Sequence, residues 1–177
     1  GIPKSLAKIK YSYTNNESET SWISLGFLPL SGKIFSISRQ EKIGARYKPE
    51  TWTAFDNLQA AFEKKYGAPT FTSKFGTPPA SYIVFDKNMK RTKTEPCMGV
   101  VIGSALLRQT DDRCGIELGY QWRQGEDRKF IGLASGLEVA LNNYAMINSE
   151  IKLINLKAAE IQKQQREQGS RNNSPKL

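Results

Sequence analysis

The stretch that decides the fold is residues 115–122, GIELGYQW, in which apolar side chains alternate with polar or small ones. This two-residue period is typical of a β-strand with one buried face. A second alternating run covers residues 133–141, and the turn residues Gly125-Glu126-Asp127 lie between the two runs. We therefore expect two adjacent antiparallel strands. Their apolar rows are Ile116, Leu118, Tyr120 and Trp122 in the first run, and Leu133, Leu137, Val139 and Leu141 in the second.

Four further strands are predicted from the same period. They are residues 5–13, 22–28, 33–39 and 81–86. In the third of them, KIFSISR, we expect Phe35 and Ile37 to face the core because they occupy alternate positions.

The first helix is predicted between Glu50 and Gly67, in the sequence ETWTAFDNLQAAFEKKYG. Apolar side chains recur there at spacings of three and four residues, which places them on one stripe of a helix. The stripe is Trp52, Phe55, Leu58, Phe62 and Tyr66. Thr51 is the expected N-cap. Gly67 suits the left-handed position that ends a helix, and Pro69 prevents its continuation.

The last predicted element is a long helix over residues 143–168, with apolar residues at a 4-3-4-3 spacing from Ile147 to Ile161. Beyond Ile161 the sequence offers nothing to bury, so the helix should project from the body. Residues 169–177 are expected to form a flexible basic tail.

Strands that cluster together with two segregated helices predict the α+β class. We expect one domain over residues 1–168, built as an antiparallel sheet with a central helix and a long C-terminal helix packed on one face. The core residues predicted from the periods are Phe55, Leu58, Phe62, Ile116, Leu118, Leu137, Val139 and Ile151.

The chain is basic, with 26 Lys+Arg against 17 Asp+Glu among its 177 residues and a net charge of +9. A cluster of four cations, Lys87, Lys90, Arg91 and Lys93, has no acidic residue between its members. A basic surface favours acidic partners, such as nucleic acid, an anionic envelope component or an acidic protein. These four residues are therefore the candidate binding loop, and a solvated hairpin tip is the alternative.

The only two cysteines are Cys97 and Cys114. A single long hairpin through this region would hold them about 40 Å apart, whereas a disulfide tolerates Cα separations of about 4.4–6.8 Å. Gly103-Ser104 and Thr110-Asp111-Asp112 break such a hairpin, so the sequence favours a disulfide over two reduced core cysteines. A disulfide predicts a periplasmic or secreted protein. Because the chain begins without methionine, we also expect its natural start to have been trimmed or replaced.

One resemblance supports the same compartment. A helix that ends Lys65-Tyr66-Gly67-x-Pro69 precedes the pair Cys97 and Cys114-Gly115. Over about residues 33–160 this arrangement resembles uncharacterised exported proteins of proteobacteria. The resemblance implies a periplasmic setting and brings no activity with it.

The composition excludes most catalytic chemistry. Histidine is absent, which removes the commonest general base, the Ser-His and Cys-His pairs and most transition-metal sites. No Walker A motif and no G-x-G-x-x-G motif occur, so no catalytic, metal or cofactor-binding residues are predicted. The acidic pairs Asp111/Asp112 and Glu126/Asp127 leave a carboxylate-based hydrolase as the less favoured enzyme hypothesis.

We therefore expect a non-enzymatic, exported binding protein of the bacterial envelope, acting as an adaptor, an inhibitor or an immunity-type partner. It should bind an acidic partner through its basic surface. The alternative is a nucleic-acid-binding protein, because basic and aromatic residues are interleaved in Tyr120-Gln121-Trp122-Arg123 and in Arg128-Lys129-Phe130. No segment approaches the roughly 18 apolar residues that cross a membrane.

Overall fold

The two alternating runs form neighbouring antiparallel strands at the centre of one sheet, as predicted, with Tyr120 opposite Val139 and Trp122 opposite Leu137. The computed structural model describes residues 7–14, 20–45, 48–73, 79–93, 111–124 and 132–172. In chain order the elements are β1 Ala7–Thr14, β2 Thr20–Phe27, β3 Ile34–Lys42, a 3-10 turn Pro49–Thr51, β4 Thr53–Ala54, α1 Phe55–Tyr66, β5 Phe71–Thr72, β6 Ser81–Asp86, β7 Cys114–Gln124, β8 Leu133–Asn143 and α2 Tyr144–Asn172.

The strand order is β1-β2-β3-β8-β7-β6-β5, and β4 pairs with the start of β8. All of these pairs are antiparallel. Both helices lie outside the sheet, so the predicted α+β architecture is confirmed.

The first helix covers one face of the central strands, which we call the α1 face. Its Phe62 packs on Tyr120 and Trp122, with ring centroids 4.1 and 6.2 Å away. Leu118 points to the same side, because residues two apart in a strand share a face. Leu137, on β8, packs into the same cluster. This cluster is the first half of the hydrophobic core.

The C-terminal helix covers the opposite face, which we call the α2 face. Tyr144 and Ile147 pack there with Val84, and Val84 lies opposite Glu117. Glu117 is the neighbour of Leu118, so it points away from the α1 face. The expectation that both helices pack on one face is therefore wrong. Apolar side chains lie on both sides of the sheet, with Val84 and Cys114 beneath α2, so each side needs its own cover.

Seven of the eight predicted core residues belong to these two clusters, and Ile116 is in neither of them. Phe62 is buried, and the others are half-buried. The members of the α1 cluster are Phe55, Leu58, Phe62, Leu118, Leu137 and Val139. Ile151 packs in the α2 cluster instead.

The start of α1 differs from the prediction. The helix begins at Phe55, and Thr51 closes the preceding turn rather than capping the helix. The Thr51 hydroxyl donates to the Lys48 carbonyl at 2.7 Å and accepts the Ala45 N–H at 2.9 Å. The next residues are held in a short strand on β8, so the tertiary pairing of β4 overrides the local cap signal.

On β3, Phe35 and Ile37 are predicted to face the core together, but they lie on opposite faces of the sheet. The pairing of β2 with β3 shifts by one residue near Gly26, so Phe27 lies opposite Ile34. This bulge turns Phe35 toward the α2 cluster, where its ring lies against Gly26. Ile37 points to the α1 face and is 43% exposed, so the expectation that it is buried is wrong.

The long C-terminal helix is confirmed and extends past Gln168 to Asn172, so part of the segment expected to be a flexible tail is helical. A single glycine at position 169 costs a helix only about 1 kcal/mol and does not end it. Every side chain from residue 159 to residue 169 is exposed, as expected for a projecting helix. Residues 173–177 lie outside the described part of the chain.

Candidate binding site

A groove of about 430 Å³ lies between α1 and the sheet on the α1 face. Its floor is apolar and comes from α1, β7 and β8, while charged side chains stand at its sides. The apolar lining side chains are Leu58, Phe62, Leu118, Trp122, Leu137 and Val139. Small-molecule sites typically enclose about 300–1,000 Å³ and are mostly apolar with a few polar groups at defined positions. The groove has this size and character.

The polar atoms beneath the groove are already bonded to one another. The indole Nε1–H of Trp122 donates to Oε1 of Gln59 at 2.8 Å, and Nε2 of Gln59 donates to the Tyr120 hydroxyl at 2.9 Å. Since Trp122 donates only through this nitrogen, it presents only carbon to the groove.

A charged pair from β3 forms one side of the groove. Arg39 lies in register with Val139, and Glu41 lies in register with Leu137. The Arg39 Nη2 atom forms an ion pair with Glu41, and its Nε–H donates to the Tyr13 hydroxyl at 3.2 Å. These contacts hold the guanidinium beside the apolar floor.

A second cation, Lys65, lies at the α1 side of the groove. Its Nζ atom is 5.1 Å from the centroid of the Tyr66 ring. Within the described ranges Lys65 forms no ion pair. Of the described residues that line the groove, two are cations and one, Glu41, is a carboxylate, so their summed charge is positive.

The groove opens onto a row of apolar side chains that crosses the sheet. Ile9, Leu25, Ile37, Leu141 and Leu118 lie opposite one another on successive neighbouring strands. Ile9 is 58% exposed and Leu141 is 40% exposed. This open apolar row is continuous with the groove through Leu118.

The sequence contained a signal for this site. Ile37, Arg39 and Glu41 occupy alternate positions of one strand, so charged side chains follow an apolar one on the same face. Such a change indicates where a strand leaves the covered core. Sequence reasoning missed the groove because it favoured core packing over a binding groove for the apolar stripe of α1.

The candidate binding loop begins as a tight turn. The Asp86 carboxylate accepts the N–H groups of Asn88 and Lys90 at 2.8 and 2.9 Å, and Met89 has a left-handed φ of 62°. The side chains of Lys87, Lys90 and Lys93 are exposed.

Arg91, the fourth residue of that cluster, has a structural contact. Its guanidinium donates to the backbone carbonyls of Tyr66 and Ala68, at the C-terminal end of α1. A cation in this position satisfies helix-end carbonyls and interacts favourably with the helix dipole. Arg91 is thus held away from its three neighbours, although it is exposed.

Among the described carboxyl groups, Glu117 on the α2 face has the most strongly shifted pKa. It is 1% exposed. Its Oε1 atom accepts the Tyr144 hydroxyl at 2.9 Å and the Asn142 amide at 3.4 Å, while Oε2 has no hydrogen-bond partner. Burial raises the pKa of Glu117 from 4.5 to about 7, against the opposing effect of these two hydrogen bonds. The alternating pattern had placed Glu117 on the side opposite the apolar row, without indicating that α2 would cover it.

The acidic pair Asp111 and Asp112 does not face a common site. Asp111 pairs with Arg113 at 2.6 Å, and Asp112 pairs with Lys152 at 2.7 Å. The other pair, Glu126 and Asp127, lies outside the described residues. Among the residues that are described, no group of three or more acidic, histidine or cysteine side chains could hold a metal ion.

Cys114 is buried in the α2 cluster. An extra residue in β7 between Cys114 and Glu117 places both side chains on the α2 face, since Asp86 lies opposite Cys114 and Val84 opposite Glu117. Cys97 lies outside the described residues, and the Cys97–Cys114 disulfide stays a prediction.

No family model matches the chain, and neither the curated proteins nor the solved structures contain a match to it. In the described part of the chain, no helix has the length and apolar character needed to span a membrane.

Proposed function

We propose that this chain is a non-enzymatic binding protein of the bacterial envelope that holds an acidic partner on its α1 face. The observation that carries the proposal is the apolar groove of about 430 Å³ with Arg39 and Lys65 at its sides. An apolar floor with cations at its edge favours a partner that has both an apolar part and an acidic group. The roles consistent with such binding are those of an adaptor, an inhibitor or an immunity-type protein.

The non-enzymatic part of the proposal is supported by the placement of the carboxyl groups. Glu117 has a pKa of about 7, which suits acid-base chemistry, but its side chain is enclosed beneath α2. Among the described residues that line the groove, Glu41 is the one carboxylate, and it is paired with Arg39. A hydrolase that uses two facing carboxyl groups needs a second one within reach.

The location in the envelope rests on the cysteines. A Cys97–Cys114 disulfide would close an 18-residue loop and stabilise the fold by about 3 kcal/mol. Such a bond persists in oxidising compartments, including the periplasm and the extracellular space. The burial of Cys114 at the base of α2 is compatible with a structural bond.

A nucleic-acid-binding role is the second candidate, and the exposed Lys87, Lys90 and Lys93 favour it. Lysines on a tight turn can contact phosphates, and affinity made in this way falls steeply with salt. The two candidates use different surfaces, so variants can separate them.

The experiment compares two charge variants of the immobilised protein. The groove variant is Arg39→Gln/Lys65→Gln, and the loop variant replaces Lys87, Lys90 and Lys93 with serine. Arg91 is retained in both because its substitution would disturb the end of α1.

The probes are an amphipathic helical peptide of leucine and glutamate, heparin and single-stranded DNA. Binding of each is measured by biolayer interferometry at about 0.1 M and about 1 M salt. The Debye length falls from about 10 Å to about 3 Å between these conditions.

The proposal expects the acidic peptide to bind the unchanged protein and the loop variant alike, and to bind the groove variant less tightly. Loss of DNA binding in the loop variant, with no probe affected by the groove variant, would favour the nucleic-acid role. Failure of all three probes to bind the folded, unchanged protein at low salt would contradict both.

A further inference from the structure

We infer that the partner held in the groove is a long-chain carboxylate, with its alkyl chain on the apolar floor and its carboxylate beside Arg39 and Lys65. This inference rests on the proposed function and names the chemistry of its ligand. It follows from three properties of the groove: the lack of available hydrogen-bonding groups on its floor, its size and open end, and the charge at its sides.

The first property concerns hydrogen bonds. The polar side chains under the floor are bonded to each other, with Trp122 donating to Gln59 and Gln59 donating to Tyr120. An extended peptide in the groove would bring one backbone N–H and one carbonyl per residue, and the floor could satisfy neither. Buried polar groups without partners oppose binding. An alkyl chain has no such groups, so the floor accepts it without this cost.

The second property is size. A volume of about 430 Å³ lies in the lower part of the range for small-molecule sites. At its open end the apolar surface continues over Leu118, Leu141 and Ile37. A single flexible chain can lie along the groove and continue over this row, burying apolar surface along its length.

The third property is charge. The described contacts of Arg39 use its Nε and Nη2 atoms, which leaves Nη1 as a donor for a ligand. Lys65 has no ion pair among the described residues. Cations bind carboxylates through charge-assisted hydrogen bonds, and they repel a quaternary ammonium group of the same chain length. The inference therefore specifies a ligand with a negatively charged head group.

The test measures binding of dodecanoate, dodecyltrimethylammonium and acetate to the full chain by isothermal titration calorimetry, below the micelle concentration of each amphiphile. Two matched variants locate the site. Ala61→Phe fills the groove, since Ala61 is among its lining residues. Ala60→Phe places the same ring on the neighbouring exposed position of α1, outside the lining, as a control. Circular dichroism checks that each variant is folded.

Dodecanoate is expected to bind at least about tenfold more tightly than dodecyltrimethylammonium, which corresponds to about 1.4 kcal/mol, while acetate shows no measurable binding. Ala61→Phe should weaken dodecanoate binding by about tenfold or more, and Ala60→Phe should leave it unchanged. Arg39→Gln/Lys65→Gln should reduce the preference for the carboxylate over the ammonium head group.

Three results would overturn the inference: no binding of dodecanoate to the folded protein, equal binding of the two amphiphiles, or equal weakening by Ala60→Phe and Ala61→Phe. A different outcome is that dodecanoate does not bind while the acidic helical peptide binds the unchanged protein and binds Ala61→Phe less tightly. In that case the inferred ligand class is wrong and the proposed function stands. If the groove variants change the affinity of neither ligand, both the inference and the proposed function are contradicted.

Discussion

Replacing Glu117 with glutamine should remove a pH-dependent loss of stability that the buried carboxyl group imposes on the fold. The side chain is 1% exposed, and burial raises its pKa from 4.5 to about 7. Below pH 4.5 the group is protonated in both the folded and the unfolded chain. Between pH 4.5 and 7 the unfolded chain releases this proton while the folded chain keeps it, so the free energy of unfolding falls as the pH rises. Above pH 7 the loss is complete.

The magnitude follows from the two pKa values. The interval from 4.5 to about 7, at about 1.36 kcal/mol per pH unit, corresponds to about 3 kcal/mol. The groups that face Glu117 are the Tyr144 hydroxyl and the Asn142 amide. Tyr82, whose pKa is raised by burial and by the charge of Glu117, is the nearby titratable group on β6. Glutamine keeps the shape and the acceptor oxygen, and its own effect on stability does not depend on pH.

The assay is urea denaturation followed by tryptophan fluorescence from about pH 4 to about pH 8. The quantity of interest is the free energy of unfolding of Glu117→Gln minus that of the unchanged protein. It should rise by about 3 kcal/mol across this range, because only the unchanged protein loses stability through ionisation of residue 117. A difference that stays constant with pH would refute the reasoning.

Glu150→Gln is the matched control on the same face. Burial opposes ionisation of Glu150, but the backbone N–H groups of Leu30 and Ser31 donate to its carboxylate and hold its pKa below the usual value. The stability contributed by this ionised group is present above the unfolded-state pKa and is lost as the pH falls through the folded-state pKa. The stability difference for Glu150→Gln should therefore change with pH in the direction opposite to that of Glu117→Gln.

Three other predictions follow from the core, the cysteines and the helix end. Phe62→Ala should lower the free energy of unfolding by about 3–5 kcal/mol, since it empties the centre of the α1 cluster; an unchanged denaturation midpoint would contradict this packing. Intact mass after alkylation under denaturing, non-reducing conditions should show no modified thiol, because Cys97 and Cys114 are predicted to be bonded, and two modified thiols would disprove both the bond and its support for export. Arg91→Ala should destabilise the fold by about 1 kcal/mol through lost bonds to the carbonyls at the end of α1, whereas Lys90→Ala on the same turn should have little effect.

Several elements could be predicted because their signals are local. The alternation of residues 115–122 and 133–141 depends only on the period of an extended chain, and it correctly indicated neighbouring strands. Gly67 ends α1 with a positive φ of 85°, as its sequence position indicated, although its ψ of 164° differs from that of a left-handed helical residue. The loss of apolar residues after Ile161 likewise indicated the exposed end of α2.

The candidate site could be predicted only in part. The sequence identified a cluster of four cations, and in the structure one of them, Arg91, bonds to the backbone at the end of α1 instead of standing free with the other three. That contact joins residues far apart in the chain, so no local pattern contains it. The groove likewise depends on how far α1 covers the sheet, which spacing along the helix does not specify.

The sequence by itself determined the α+β class, the position of the central strands and the presence of two helices, because strand and helix periods are properties of consecutive residues. Only the tertiary structure decided which face each helix covers. The alternation along a strand shows which residues share a face, but it does not determine which face a given helix covers. The one-residue bulge at Phe35 turned this side chain to the α2 face while Ile37 stayed on the α1 face, and the packing of α2 enclosed Glu117. Register and helix placement arise from contacts between distant segments, and these contacts produced both the groove and the buried carboxyl group.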